Sequence, residues 1–307
     1  MKKRLLLILC WLLTTTLSFA DGPFRNHRYD AFKVLPVNSE QIVFIGNSIT
    51  NMHEWWEAFG NHNVINRGVS GAVTDEALAN IEAIAAGKPK KVFIMLGTND
   101  LGTNGINTTE HVLTNINLIV ERFKQTSPET GIYIQSILPS TSGIRTLDAL
   151  RDANTALQAM CTEKGATYID LWDDMMGITS NALSYDYLHL TSDGYKIWCD
   201  KIAQYVNDNP EAKSVYGAEA QNNGGLGGAN GMRATVFSKL PVNSNDILII
   251  GDEMVNGGEW HELLKSSRIK NRGTSWGYPG ASLADMLKMV NAIFNGGGKP
   301  AQVFLYA

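Results

Sequence analysis

Gln41-Ile42-Val43-Phe44-Ile45-Gly46-Asn47-Ser48-Ile49-Thr50 is an apolar run that stops at a glycine and turns polar. Four β-branched or aromatic residues in succession read as a strand buried on both faces. The glycine lets the chain turn sharply, and Ser48 falls where the next helix should open. There it stands at the positive end of a helix dipole, beside backbone N–H groups with no partner inside the helix. That setting suits a nucleophile whose attack creates an oxyanion. Serine is also a favoured helix cap, so this stretch alone leaves both roles open.

Outward from it, apolar runs alternate with helical periodicity. Residues 21–40 read as an irregular lead-in. Trp55, Trp56 and Phe59 give a short helix an apolar face, and Asn63-Val64-Ile65-Asn66 is a second strand, followed by a turn at Gly68–Gly71. A helix is predicted over Thr74–Ala86. Lys91–Leu96 is a third strand, ending at Gly97-Thr98-Asn99-Asp100, and a helix runs from about Thr109 to Gln125. Ile132–Ile137, a helix over Leu147–Lys164, a strand at Ala166–Asp170 and a last helix opening at Thr191-Ser192-Asp193 complete the series. Strands and helices in alternation predict an α/β fold, a parallel sheet covered on both faces. Ligands of such sheets bind beyond the carboxyl ends of the strands. Ser48, Gly71 and Asn99 follow strands one, two and three at that edge, so they should share one crevice.

Composition narrows the partners. Met1-Lys2-Lys3-Arg4, the apolar run Leu5–Leu13 and small residues before Ala20 read as a signal peptide over residues 1–20, so the mature chain is expected to be exported, periplasmic or secreted. The apolar segment is shorter than the ~20 residues of a membrane span, and no stable membrane insertion is expected. Taking Lys2, Lys3 and Arg4 from the 26 basic residues leaves 23 against 30 acidic ones, a net charge near −7. That balance disfavours nucleic acid and anionic membrane surfaces. Cys161 and Cys199 have no neighbouring ligands at zinc spacing; one disulfide or two buried thiols both remain open.

Serine-based ester hydrolysis needs a base, a group that orients the base, and donors for the oxyanion. Of the six histidines, only His189 has a carboxylate three residues before it, in Asp186-Tyr187-Leu188-His189. That interval can bring Asp186 to Nδ1 while Nε2 faces a serine. Each residue has an ordinary structural use as well: His189 as a packing residue, Asp186 and Asn99 in turns, Gly71 at a helix entry. Their convergence on one sheet edge favours chemistry.

Gly46-Asn47-Ser48-Ile49-Thr50, Asn66-Arg67-Gly68-Val69-Ser70-Gly71, Gly97-Thr98-Asn99-Asp100 and Asp186-Tyr187-Leu188-His189 together resemble the four blocks of the SGNH (GDSL-type) hydrolases, over residues from about 40 to 208. The resemblance implies a three-layer α/β/α, flavodoxin-like fold and an esterase without metal or organic cofactor. It implies Ser48 as nucleophile, His189 as general base and Asp186 as its orienting partner. The Ser48 and Gly71 backbone N–H groups and the Asn99 amide would form the oxyanion hole. Asn47 departs from the aspartate frequent in the family, which alters the charge beside the nucleophile. Asn66-Arg67-Gly68 and the tryptophan-rich first helix resemble the exported carbohydrate esterases, sialate O-acetylesterases among them. The expected substrate is a small-molecule or glycan ester, acetyl first. A lysophospholipid or other lipid ester is the rival substrate, and a non-catalytic carbohydrate-binding protein the rival class.

Other candidates read as structural. Asp170, Asp173 and Asp174 fit a solvated acidic turn better than a cation site. Trp55 and Trp56 fit core packing, and Gly224, Gly225, Gly227 and Gly228 match no phosphate loop. Residues 209–236 read as a glycine- and asparagine-rich linker. Beyond it the sequence restarts: Leu240-Pro241-Val242-Asn243-Ser244 repeats Leu35–Ser39 at an offset of 205, and Glu259-Trp260 and Asn271-Arg272-Gly273 repeat Glu54-Trp55 and Asn66-Arg67-Gly68 at that offset. Residues 237–307 are thus expected to be an incomplete second copy. It is catalytically silent, since Glu253 replaces Ser48, and a chain ending near Asn209 is expected to keep its chemistry and gain solubility.

Overall fold

Strand β1 (Ile42–Gly46) lies between β2 (Val64–Gly68) and β3 (Lys91–Met95), with β4 (Gly131–Gln135) and β5 (Thr167–Ile169) beyond β3. All four pairings are parallel, and the order β2-β1-β3-β4-β5 is that of a flavodoxin-like doubly wound sheet. The computed structural model describes residues 21–102, 108–217, 223–274, 282–294 and 298–306; the expected signal peptide, 1–20, lies outside them. No helix among the described residues is long and apolar enough to cross a membrane.

Each central strand splits its side chains between two cores, because successive residues point to opposite faces. Val43 and Ile45 of β1 and Val92 and Ile94 of β3 face one core, filled by helices Thr74–Ala86, Thr109–Thr126 and Leu147–Lys164. Phe44 and Phe93 face the other, where register places Phe44, Phe93 and Tyr133 side by side across three strands, with ring centroids 4.9 and 4.6 Å apart. Trp55 stacks on Phe44 at 4.2 Å, and the helix Ser192–Val206 closes this side with Tyr195, Trp198 and Ile202. Cys161 lies in the first core and Cys199 in the second, both as free buried thiols. The sheet stands between them, and no disulfide joins them.

A second parallel sheet follows: β6 (Ile247–Gly251) between β7 (Ile269–Gly273) and β8 (Gln302–Leu305). Its order, β7-β6-β8, copies β2-β1-β3, consistent with a partial repeat. Two expectations need correction. The lead-in at 21–40 contains a helix, Asp21–Val34, and the expected linker at 209–236 contains the start of another, Gly228–Lys239. The second helix is buried almost throughout, and its Met232, Val236 and Phe237 belong to the same continuous core as Phe44 and Trp198. Leu248, Ile250 and Met289 of the second unit join that core too. Residues 237–307 are therefore docked against the first sheet, and removing them would bare a core rather than trim a tail. The outer strand β8 stays exposed, with Val303, Phe304, Leu305 and Tyr306 open to solvent.

Candidate active site

β1 hands the chain to a one-turn helix, Ser48–Asn51, through a glycine with no room for a side chain: a Cβ on Gly46 would lie 2.0 Å from Thr50 Oγ1. Asn47 caps this turn, its Oδ1 accepting from the Ile49 N–H at 3.0 Å. The amide thus performs the capping that an aspartate would, without the charge. Ser48 is almost buried and points across the strand ends, where its Oγ lies 2.8 Å from His189 Nε2.

His189 is held from three sides. Its Nδ1 lies 2.7 Å from Asp186 Oδ2, its backbone N–H donates to Asp186 Oδ1 at 2.7 Å, and the Tyr185 ring stacks beside the imidazole at 5.8 Å. Leu188 N–H also donates to Asp186 Oδ1, at 3.1 Å. Burial pushes the Asp186 carboxyl up. The His189 hydrogen bond, the imidazole's charge and the two backbone donors outweigh it and hold the group below its ordinary range. Burial first, then the Asp186 charge, raises the Tyr185 phenol. The turn reverses because Tyr187 adopts a left-handed backbone, φ +63°, unusual for a non-glycine residue. Asn181 Oδ1 accepts from its N–H at 2.7 Å, and its carbonyl accepts from Ser140 Oγ at 2.7 Å.

Gly71 sits at the turn after β2 with φ +77°, a conformation that favours glycine. Asn99 follows β3, and its Nδ2 donates to Ala72 O at 3.0 Å, which ties the Asn99 amide to the Gly71 turn. Arg145 approaches from the loop after β4: its Nε donates to Thr98 O at 2.9 Å and its Nη2 to Asn99 Oδ1 at 3.3 Å. Burial lowers this guanidinium from its ordinary value while the Asp186 charge raises it. Motif reading missed Arg145, Asn181, Ser140 and Tyr185. They reach the site by loop geometry, and no spacing in the chain signals them.

Asp100, the residue after Asn99, is spent on the fold: its carboxylate accepts from the Thr74 N–H at 3.0 Å and from Thr74 Oγ1 at 2.6 Å, at the start of a helix. Burial raises its carboxyl despite these bonds. Asp75, Asp100 and His111 form the one described group whose ligand atoms lie within 4.8 Å of one another. Those atoms are already engaged, His111 Nε2 with Asp75 Oδ2 at 2.7 Å and Asp100 with Thr74. Asp170 accepts from the Trp172 N–H, and Asp174 pairs with Lys201 at 2.8 Å, a turn and a surface ion pair. Trp55 and Trp56 are buried packing residues.

The profile of the GDSL-like Lipase/Acylhydrolase family matches residues 44–197, half the chain, and spans the Ser48 turn and the His189 loop. The chain belongs to that family. As a GDSL-type acylhydrolase it is a carboxylic ester hydrolase. No curated protein sequence matches it. Solved structures share the fold. A protein from Streptococcus pneumonia described as a candidate platelet activating factor is 24% identical, with a TM-score of 0.53 over 65% of this chain and 98% of its own. A GDSL-like lipase from Bacteroides thetaiotaomicron is 22% identical, with a TM-score of 0.52 over 60% of this chain and 98% of its own.

Proposed function

We propose that this GDSL-type hydrolase is an exported serine esterase that removes small O-acyl groups, acetyl first, from a carbohydrate. The hydrogen-bonded line Ser48–His189–Asp186, at 2.8 and 2.7 Å, carries the reading. Ser48 Oγ attacks the acyl carbon while His189 Nε2 takes its proton, and Asp186 stabilises the imidazolium. The Ser48 and Gly71 N–H groups and the Asn99 amide take the oxyanion. His189 returns the proton to the departing sugar oxygen, which leaves as a hydroxyl, and water, activated by the same imidazole, releases the acid from the acyl-enzyme.

The half-exposed Tyr187, two residues before His189 in the same loop, supports a sugar acceptor, because an aromatic face with a polar edge suits a flat, hydroxylated ring. The acidic mature chain and the basic, apolar leader support export and disfavour an anionic lipid surface. In this reading residues 21–208 form the catalytic unit, and the segment after Gly228 is a partial copy of it that turns over nothing.

Ser48→Ala, assayed with p-nitrophenyl acetate, should abolish hydrolysis with the fold intact; activity within tenfold of wild type would place the nucleophile elsewhere. A p-nitrophenyl acyl series should favour acetate, and a preference for long chains would replace the carbohydrate ester by a lipid one.

A further inference from the structure

Among the described residues, four buried arginine–glutamate pairs cross between the two units, in two matched sets. Arg28 meets Glu259 at 2.6 Å and Arg233 meets Glu54 at 2.9 Å; Arg67 meets Glu262 at 2.8 Å and Arg272 meets Glu57 at 2.8 Å. Within each set the partners exchange when 205 is added to the first unit's numbers, the signature of a two-fold interface between two copies of one surface. The same exchange relates Phe32 to Phe237, each lying under two of these guanidinium groups. It also relates Trp56 to His261, which stack on each other at 5.1 Å, so the local axis passes between them.

Three bonds from the second unit lead to backbone that carries the proposed catalytic groups. Arg233 Nη1 donates to Met52 O at 3.0 Å, at the C-terminal end of the Ser48–Asn51 turn. Thr235 Oγ1 accepts from the Ser192 N–H at 3.2 Å, three residues after His189, while itself donating to Met232 O at 2.7 Å. Glu259 holds Arg28, whose Nη2 and Nε donate to Gly68 O at 3.1 and 3.3 Å, three residues before Gly71. A one-turn helix has too few internal bonds to hold itself in place, and its last carbonyls need outside donors.

We infer that the second unit is a positioning module for the ester-hydrolysing site. Arg233 and Thr235 are positioning residues that hold the Ser48 turn and the His189 loop in mutual register. The inference rests on the assignment of Ser48 and His189 given above. Separation of those two elements by about 1 Å costs on the order of 10² in rate, and the two bonds act on opposite sides of the 2.8 Å Ser48–His189 contact.

The test uses the full chain, with kcat, KM and melting temperature measured for p-nitrophenyl acetate. Thr235→Val removes the acceptor at constant shape and should lower kcat about tenfold with KM within about twofold, a loss confined to the transition state. Thr235→Ser keeps the hydroxyl and should restore the rate. Arg233→Lys should also lower kcat about tenfold, since one ammonium cannot reproduce a fork that reaches both Met52 O and Glu54. Arg272→Lys, which weakens an equally buried pair ending on Glu57, should lower the melting temperature and leave kcat unchanged. The inference is overturned if Thr235→Val and Arg233→Lys keep kcat within twofold, if Thr235→Ser is as slow as Thr235→Val, or if kcat simply follows melting temperature across the set, Arg272→Lys included. Ser48→Ala runs alongside: an active variant sinks the nucleophile assignment itself, and an inactive one confines any failure to the positioning module.

Discussion

Asn99 shows how much one amide is asked to do. Its Oδ1 accepts from Arg145 and one hydrogen of its Nδ2 goes to Ala72 O, so in the proposed reaction the second hydrogen would serve the oxyanion. Asn99→Ala should therefore lower kcat by about 10²–10³ with little change in KM, the usual loss for one oxyanion donor. A pure KM effect in steady-state assays would make Asn99 a substrate-binding residue instead. The His189–Asp186 pair sets the pH behaviour. Since its neighbours hold the Asp186 carboxyl below its ordinary 3.8, the folded chain binds that proton less readily than the unfolded one. The stability gained is complete above about pH 4 and is lost as the pH falls through the lower folded value. Asp186 is thus ionised above about pH 4, and Asp186→Asn should remove this acid-side loss from the melting temperatures.

Among the elements, the helices Thr74–Ala86, Thr109–Thr126, Leu147–Lys164 and Ser192–Val206 were legible because their buried faces are apolar at helical spacing. Asp21–Val34 and Gly228–Lys239 were not. Their buried faces include Arg28 over Phe32 and Arg233 over Phe237, at 4.9 and 4.6 Å, and an apolar-periodicity reading counts a buried arginine as surface. The proposed triad was legible for the opposite reason: Ser48 directly follows a strand and Asp186 stands three residues before His189, whereas Arg145 carries no such spacing. Glu54, where the interface reaches the strand-one side, gives a second pH test. Burial pushes its carboxyl up to about 7, against the pull of Arg233 and with the help of Glu57 and Glu259. Between 4.5 and about 7 the folded chain holds a proton that the unfolded chain releases, so this residue's contribution to stability shrinks as pH rises across that window. Glu54→Gln should remove the slope. Its melting temperature, relative to wild type, should climb by about 2–5 °C over the window, and parallel melting curves would show that Glu54 does not titrate there.

For the whole molecule, the decisive fact is that one core serves both units. A chain ending at Asn209 would lose Met232, Val236, Phe237 and Leu248 from the packing around Phe44 and Trp198, and would leave Glu54 and Glu57 without their arginines. It should melt more than about 10 °C below the full chain or aggregate, the reverse of what the repeat pattern alone led one to expect. A soluble short form with full kcat/KM would show the two units to be independent. The bond from Arg233 to the Ser48 turn also sets a clock. Arg233 and Glu54 are 179 residues apart, and at about 5–20 residues per second of synthesis the second follows the first by roughly 10–35 s. Through that interval the Ser48 turn exists without its outside donor, so on the reading proposed above a nascent chain hydrolyses esters more slowly until Arg233 has been made and has folded back onto it.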